Sequence, residues 1–135
     1  MRVLIGVLLL LHGLIHIALG VIPNPDAAQP VVATFLSDWA GSWLLGGLSG
    51  KTLRVIGLVL AIVAGIGFVG AGLAMFSFVL PHDWWRALAI GSSAVSLVLC
   101  VLFWHSYFIV GPVVAVGIIV ALGFIHWPTE AILGY

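Results

Sequence analysis

Apolar residues run along this chain in four long blocks, and the polar residues collect between them. The first block, residues 3–22, is closed by Pro23-Asn24-Pro25, a strong helix stop. The second covers 55–80, preceded by Lys51 and Arg54 and stopped by Pro81. Trp84 and Trp85 open the third, 84–104, and the fourth runs over 108–127 with Pro112 in its first turn, where a missing N–H is tolerated. A helix of about 20 apolar residues crosses a hydrocarbon core of about 30 Å. The pattern therefore predicts an all-α fold: an antiparallel four-helix transmembrane bundle in a single domain over residues 1–135, with both termini on one side. Tryptophans at the block ends fit the aromatic belt of a bilayer interface.

Between the first two blocks, Phe35, Trp39 and Trp43 recur every four residues, with Ser37, Asp38 and Ser42 on other faces. This predicts a short helix over 31–45, either lying in the membrane interface or packed over the bundle. Either placement puts Asp38 at headgroup level. A cleaved signal peptide is the rival reading of the first block, with Arg2 as a minimal basic start and Ala18-Leu19-Gly20 as a small-x-small site. Two histidines inside the apolar run, and its full length, argue against cleavage. Arg2 and Arg86 flank one side of the expected bundle and Lys51 and Arg54 the other, so basic residues leave the orientation balanced.

Composition agrees with the blocks. Of 135 residues 64% are hydrophobic and 6% charged, against roughly 25% charged in soluble domains. A water-soluble fold is close to excluded on that ground, and the expected location is the cell membrane as a multi-pass protein. Formal net charge is zero, and without a basic run nucleic-acid binding has no electrostatic basis. The single cysteine, Cys100, excludes an internal disulfide.

Small residues recur at spacings that let transmembrane backbones approach closely. Gly6, Gly13 and Gly20 form one stripe on the first helix. Gly57, Ala61 and Gly65, together with Gly67/Ala71 and Gly70/Ala74, mark the second. Ser92, Ser96 and Cys100 form a polar ridge on the third, with Ser93 beside it, and Gly111/Ala115 and Gly117/Ala121 lie on the fourth. These patterns favour a tight bundle with a self-association surface, hence a homo-oligomer or a place in a larger membrane complex.

The strongest chemical lead is His12 and His16, one turn apart in the middle of the first block. Polar groups at that depth face protein or a water-filled cavity. In a structural reading, each imidazole donates to a serine of a neighbouring helix (Ser92, Ser93 or Ser96) or to a backbone carbonyl. In a functional reading, the pair binds a ligand or shares a metal ion, as histidines at i, i+4 do in H-E-x-x-H helices. Here Gly13-Leu14-Ile15 lie between them, so the glutamate base of a metalloprotease is missing. His82, His105 and His126 fall at predicted helix ends, so no second helix offers a mid-depth histidine for haem within one chain. His16, Asp38 and His105 share the first-loop side, where a carboxylate would orient a histidine. The alternative leaves Asp38 and His105 facing headgroups and water. The candidate ligand-binding residues are therefore His12, His16, Asp38, Ser92, Ser96 and His105, with His12 and His16 the candidates for metal. No motif specifies a cofactor.

The segment Arg2-x3-Gly6-x5-His12-Gly13 resembles the first helix of the DoxX-like family of small four-helix membrane proteins. A closer likeness is to small bacterial and archaeal membrane proteins with a His-Gly-Leu-Ile-His first helix. His12-Gly13-Leu14-Ile15-His16, the Trp84-Trp85 pair, Ser96, and Trp104 followed by Gly111 carry it. Helices two to four show no DoxX-specific residue, and His16 stands where that family often has lysine or glutamine. DoxX relatives include quinone-linked oxidoreductase subunits, which is what the resemblance implies for function. From the residues themselves the leading expectation is a self-associating membrane subunit or binding module with an intramembrane histidine site for a hydrophobic ligand. The alternative is a redox or isomerase-type enzyme acting on a quinone or another lipid-soluble substrate. No nucleophile–base pair, nucleotide motif or carboxylate dyad is present to favour the enzyme.

Overall fold

The computed structural model describes residues 1–21, 42–104 and 109–134, and among them every regular element is helical. The elements are α1 (Arg2–Val21), α2 (Gly50–Met75), α3 (Trp84–Leu102), α4 (Val110–Ile119) and a single turn α5 (Glu130–Leu133). α1, α2 and α3 are each apolar and long enough to cross a membrane; α4, with its continuation to Phe124, is apolar and shorter. The fold is thus a helical bundle of three long apolar helices and a shorter fourth.

Local chemistry moves several boundaries. α2 starts earlier than residue 55 because Ser49 caps it: its hydroxyl accepts from the Thr52 N–H at 3.2 Å, so Lys51 and Arg54 lie inside the first turns. α2 ends at Met75 rather than at Leu80. Ser77 adopts φ 54°, while its N–H donates to Ala74 O and that of Phe78 to Leu73 O. This left-handed helix ending satisfies carbonyls that the helix leaves open and turns 76–80 into a connection despite its apolar sequence. α4 passes at Val120–Phe124 into a wider turn in which Ile125 N–H reaches back to Val120 O. The helix over 31–45 lies outside the described residues except at its end, and there the expectation is corrected: residues 42–45 are not helical. Ser42 Oγ donates to Leu102 O and Trp43 Nε1 to Val101 O at 2.7 Å. The segment serves the terminal carbonyls of α3, which have no partner within the helix.

Glycine contacts give the topology. Along α1, Gly6 faces Phe76, Gly13 faces Gly65 and Gly20 faces Ala61, so α1 and α2 run antiparallel in register. Gly67 lies against Ser92 and Gly70 against Leu88, while Gly111 lies against Cys100 and Gly123 against Ile90. The order is therefore up-down-up-down. At Gly13 an added Cβ would stand 2.6 Å from the Gly65 carbonyl oxygen, and at Gly65 one would stand 2.8 Å from the Gly13 oxygen. Backbone meets backbone here, and the small-residue faces of α1 and α2 close on each other within one chain. Phe68, Met75, Trp85, Ala89 and Leu9 form the main core, which Leu122 and Leu133 complete from the C-terminal part. The outward face of α1 is apolar and exposed at Val3, Leu4, Val7, Leu8, Leu11, Leu14 and Ile15.

Candidate functional site

The Gly13–Gly65 crossing sets the site. It brings α1 so close to α2 that the neighbouring histidines meet Phe68, one turn along from Gly65. The Phe68 ring stacks on His16 (5.6 Å between centroids, 10° between planes) and takes His12 edge-on at 4.6 Å. The two imidazoles are themselves edge to face at 4.8 Å. His16 is only 5% exposed, and its Nε2 is hydrogen-bonded to Ser96 Oγ at 3.1 Å, joining α1 to α3. Cys100, one turn further along α3, is hydrogen-bonded to the same hydroxyl.

Of the three serines expected to serve the histidines, Ser96 alone does so. Ser92 Oγ donates to Leu88 O at 2.7 Å and Ser93 Oγ to Ala89 O at 2.8 Å, both within α3. The close approach of Gly67 to Ser92 fixes that side chain at the α2–α3 contact. Asp38 and His105 lie outside the described residues. His82 and His126 fall beyond helix ends, as expected. Phe68 was not singled out in the sequence, because an aromatic residue inside an apolar helix carries no signal of its partners. The Gly65 small-residue mark was the nearest clue.

His12 and His16 line a cavity of about 250 Å³. Leu99 and Cys100 of α3, Phe103 just beyond its end, and Val110, Gly111 and Val114 of α4 complete most of its wall. Gly111 brings α4 close here: a Cβ at that position would lie 3.1 Å from Cys100 Sγ. Ile15 and Val110, both exposed, form the rim on the seam between α1 and α4. No lining residue is charged.

Each imidazole keeps one buried ring nitrogen with no hydrogen-bond partner, Nε2 of His12 and Nδ1 of His16. Leaving such a group unpaired costs about 1–3 kcal/mol. The arrangement offers neutral hydrogen bonding, donor or acceptor according to tautomer, beside an apolar space. Among the described residues no three His, Cys, Asp or Glu side chains converge as a metal site would need. Comparisons with protein-family models, with curated proteins and with solved structures find no match to this chain, so the site is read from its own chemistry.

Proposed function

We propose that this chain is a multi-pass membrane protein that binds a lipid-soluble molecule in the cavity between α1, α3 and α4, with His12 and His16 as its polar contacts. The observation that carries this reading is that two imidazoles of one helix, His12 and His16, line an otherwise apolar cavity. Small-molecule sites are apolar with a few placed polar groups. Membrane residence is supported by the exposed apolar face of α1, which continues at Val55, Val59, Val63 and Ile66 of α2 and at Val113, Val116 and Val120 beyond α3. Monomeric soluble proteins rarely carry apolar surface on that scale. We extend the count to four spans by taking α4 and its wider turn as a short or tilted crossing.

The test is extraction of small molecules from wild-type, His16→Ala and Leu11→Ala proteins purified in parallel, followed by mass spectrometry. A compound retained by wild type and by Leu11→Ala, whose side chain faces outward, is expected to be lost from His16→Ala. An identical set of compounds from all three proteins would refute the reading.

A catalytic version of the same site is favoured by one observation, the His16–Ser96 hydrogen bond beside a second imidazole, which suits proton transfer on a bound substrate. Absorbance spectroscopy of the purified protein separates a redox role, with a bound chromophore, from proton transfer or binding alone. The DoxX-like relationship and a self-associating subunit remain part of the proposal. The α1 and α2 small-residue stripes are taken up inside the chain, so association would use other surfaces, among them Gly91, which has open space beside it.

A further inference from the structure

A second hollow lies along the same seam. Its volume is about 280 Å³, and it runs from Ile5 and Leu9 of α1, past Trp85, to Gly117, Leu122 and Trp127. Val114 lines both this groove and the histidine cavity. The two therefore adjoin end to end between α1 and α4, following α1 from Leu19 back to Ile5, about 21 Å at 1.5 Å per residue. Their chemistry differs. The cavity holds two imidazoles and a thiol, whereas no ionisable side chain lines the groove, only aliphatic and aromatic residues, a proline and a glycine.

We infer that cavity and groove form one binding seam for an amphiphile with a small hydrogen-bonding head at His12 and His16 and a single hydrocarbon tail lying along α4 toward Trp127. The inference rests on the proposed histidine site and adds to it the class of ligand and its direction. The size of the cavity limits the head to about one ring, since whole drug-sized ligands need about 300–1,000 Å³. The absence of lining charge removes any counter-ion for an anionic head. Depth points the same way: His12 lies about 15 Å along α1 from Arg2. A charged phospholipid headgroup is poorly solvated so far from either interface, whereas a neutral hydroxyl or carbonyl on a ring is matched by a neutral imidazole. A tail in the groove contacts packed side chains on both sides. Gly117 keeps this path open, since nothing lies within 4 Å of where its Cβ would be.

The experiment is photolabelling of the full chain in phosphatidylcholine vesicles with 4-decylphenol carrying a diazirine either beside the ring or at the chain end. The ring label is expected on residues around His16, Cys100 and Val114, and it is lost in His16→Ala. The chain-end label is expected on Ile5, Leu9, Ile118 and Leu122, and in Gly117→Leu it is lost while the ring label stays. Ring labelling at the cavity with chain-end labelling of the outer face of α1, at Leu4, Leu8 and Leu11, would overturn this inference and leave the histidine site standing. Absence of ring labelling at the cavity would overturn both. The wild-type labelling pattern decides even if Gly117→Leu fails to fold, and Ala121→Leu offers a second obstruction of the same groove.

Discussion

Replacing Gly13 by alanine tests the contact on which the histidine site is built. The new Cβ would lie 2.6 Å from the Gly65 carbonyl oxygen, 2.8 Å from Val69 N and 2.8 Å from Val69 Cγ2. Two of these three atoms are backbone inside α2, so no rotamer change relieves them. Reaching an ordinary contact of about 3.4 Å requires the two helices to separate by several tenths of an ångström along their closest crossing, and overpacking of this kind costs about 1–3 kcal/mol. Alanine returns up to about 1 kcal/mol through helix propensity, leaving a net loss of up to about 2 kcal/mol. Gly20→Ala is the internal control. Its Cβ would meet Ala61 Cβ and Leu58 Cδ1 at 3.4 Å, ordinary contact, so propensity dominates and the variant should match or exceed wild type by up to about 1 kcal/mol. Gly6→Ala should fall between them, because its 2.6 Å neighbour is the end of the Phe76 ring, which can turn aside. Equilibrium unfolding of the three variants in mixed micelles, followed by tryptophan fluorescence, measures the order. Equal stabilities for Gly13→Ala and Gly20→Ala would refute the backbone crossing and, with it, the placement of Phe68 against the histidines.

Three further outcomes are expected. Ser96→Ala removes the partner of a buried His16 nitrogen and should lower stability by about 0.6–2 kcal/mol, more than Ser93→Ala, whose hydroxyl serves its own helix; paired unfolding curves check the difference. Val79→Gly should stabilise the protein by about 1–2 kcal/mol, since Val79 holds φ 71° with its side chain exposed and a left-handed conformation penalises a β-branched residue by roughly that amount; no gain on unfolding would contradict the turn. Arg86 donates to Pro128 O and lies 4.9 Å from the Trp85 ring centroid, tying the C-terminal segment to α3, so Arg86→Ala should speed hydrogen exchange across residues 129–134 while leaving α1 and α2 protected.

The way the histidine pair is held shows where sequence stops and packing begins. His12 and His16 were legible as candidates because an imidazole in the middle of an apolar block is costly to leave against hydrocarbon. The stripe Gly6, Gly13, Gly20 was legible as a close-packed face because only small side chains admit a neighbouring backbone. Neither pattern says which helix answers. Periodicity defines a direction around one helix and carries no information about what lies in that direction. The partner of the stripe proved to be α2, which placed Phe68 on the rings, while the partner of His16 proved to be Ser96 rather than Ser92, one turn away on the same ridge.

Boundaries divide in the same manner. The sequence by itself determined that the regular elements among the described residues are apolar helices, because burying a backbone in so few polar surroundings requires its N–H and C=O groups to be satisfied within helices. It could not place the end of α2, since residues 76–80 are as apolar as the helix before them and only the backbone turn at Ser77 ends it. Nor could it show the seam between α1 and α4. A cavity is space left by helices that pack on others more closely than on each other, and that depends on the summed fit of side chains distant in the chain. The tertiary structure alone decided that His12, His16 and Cys100 border one hollow, and that Val114 joins it to the groove below.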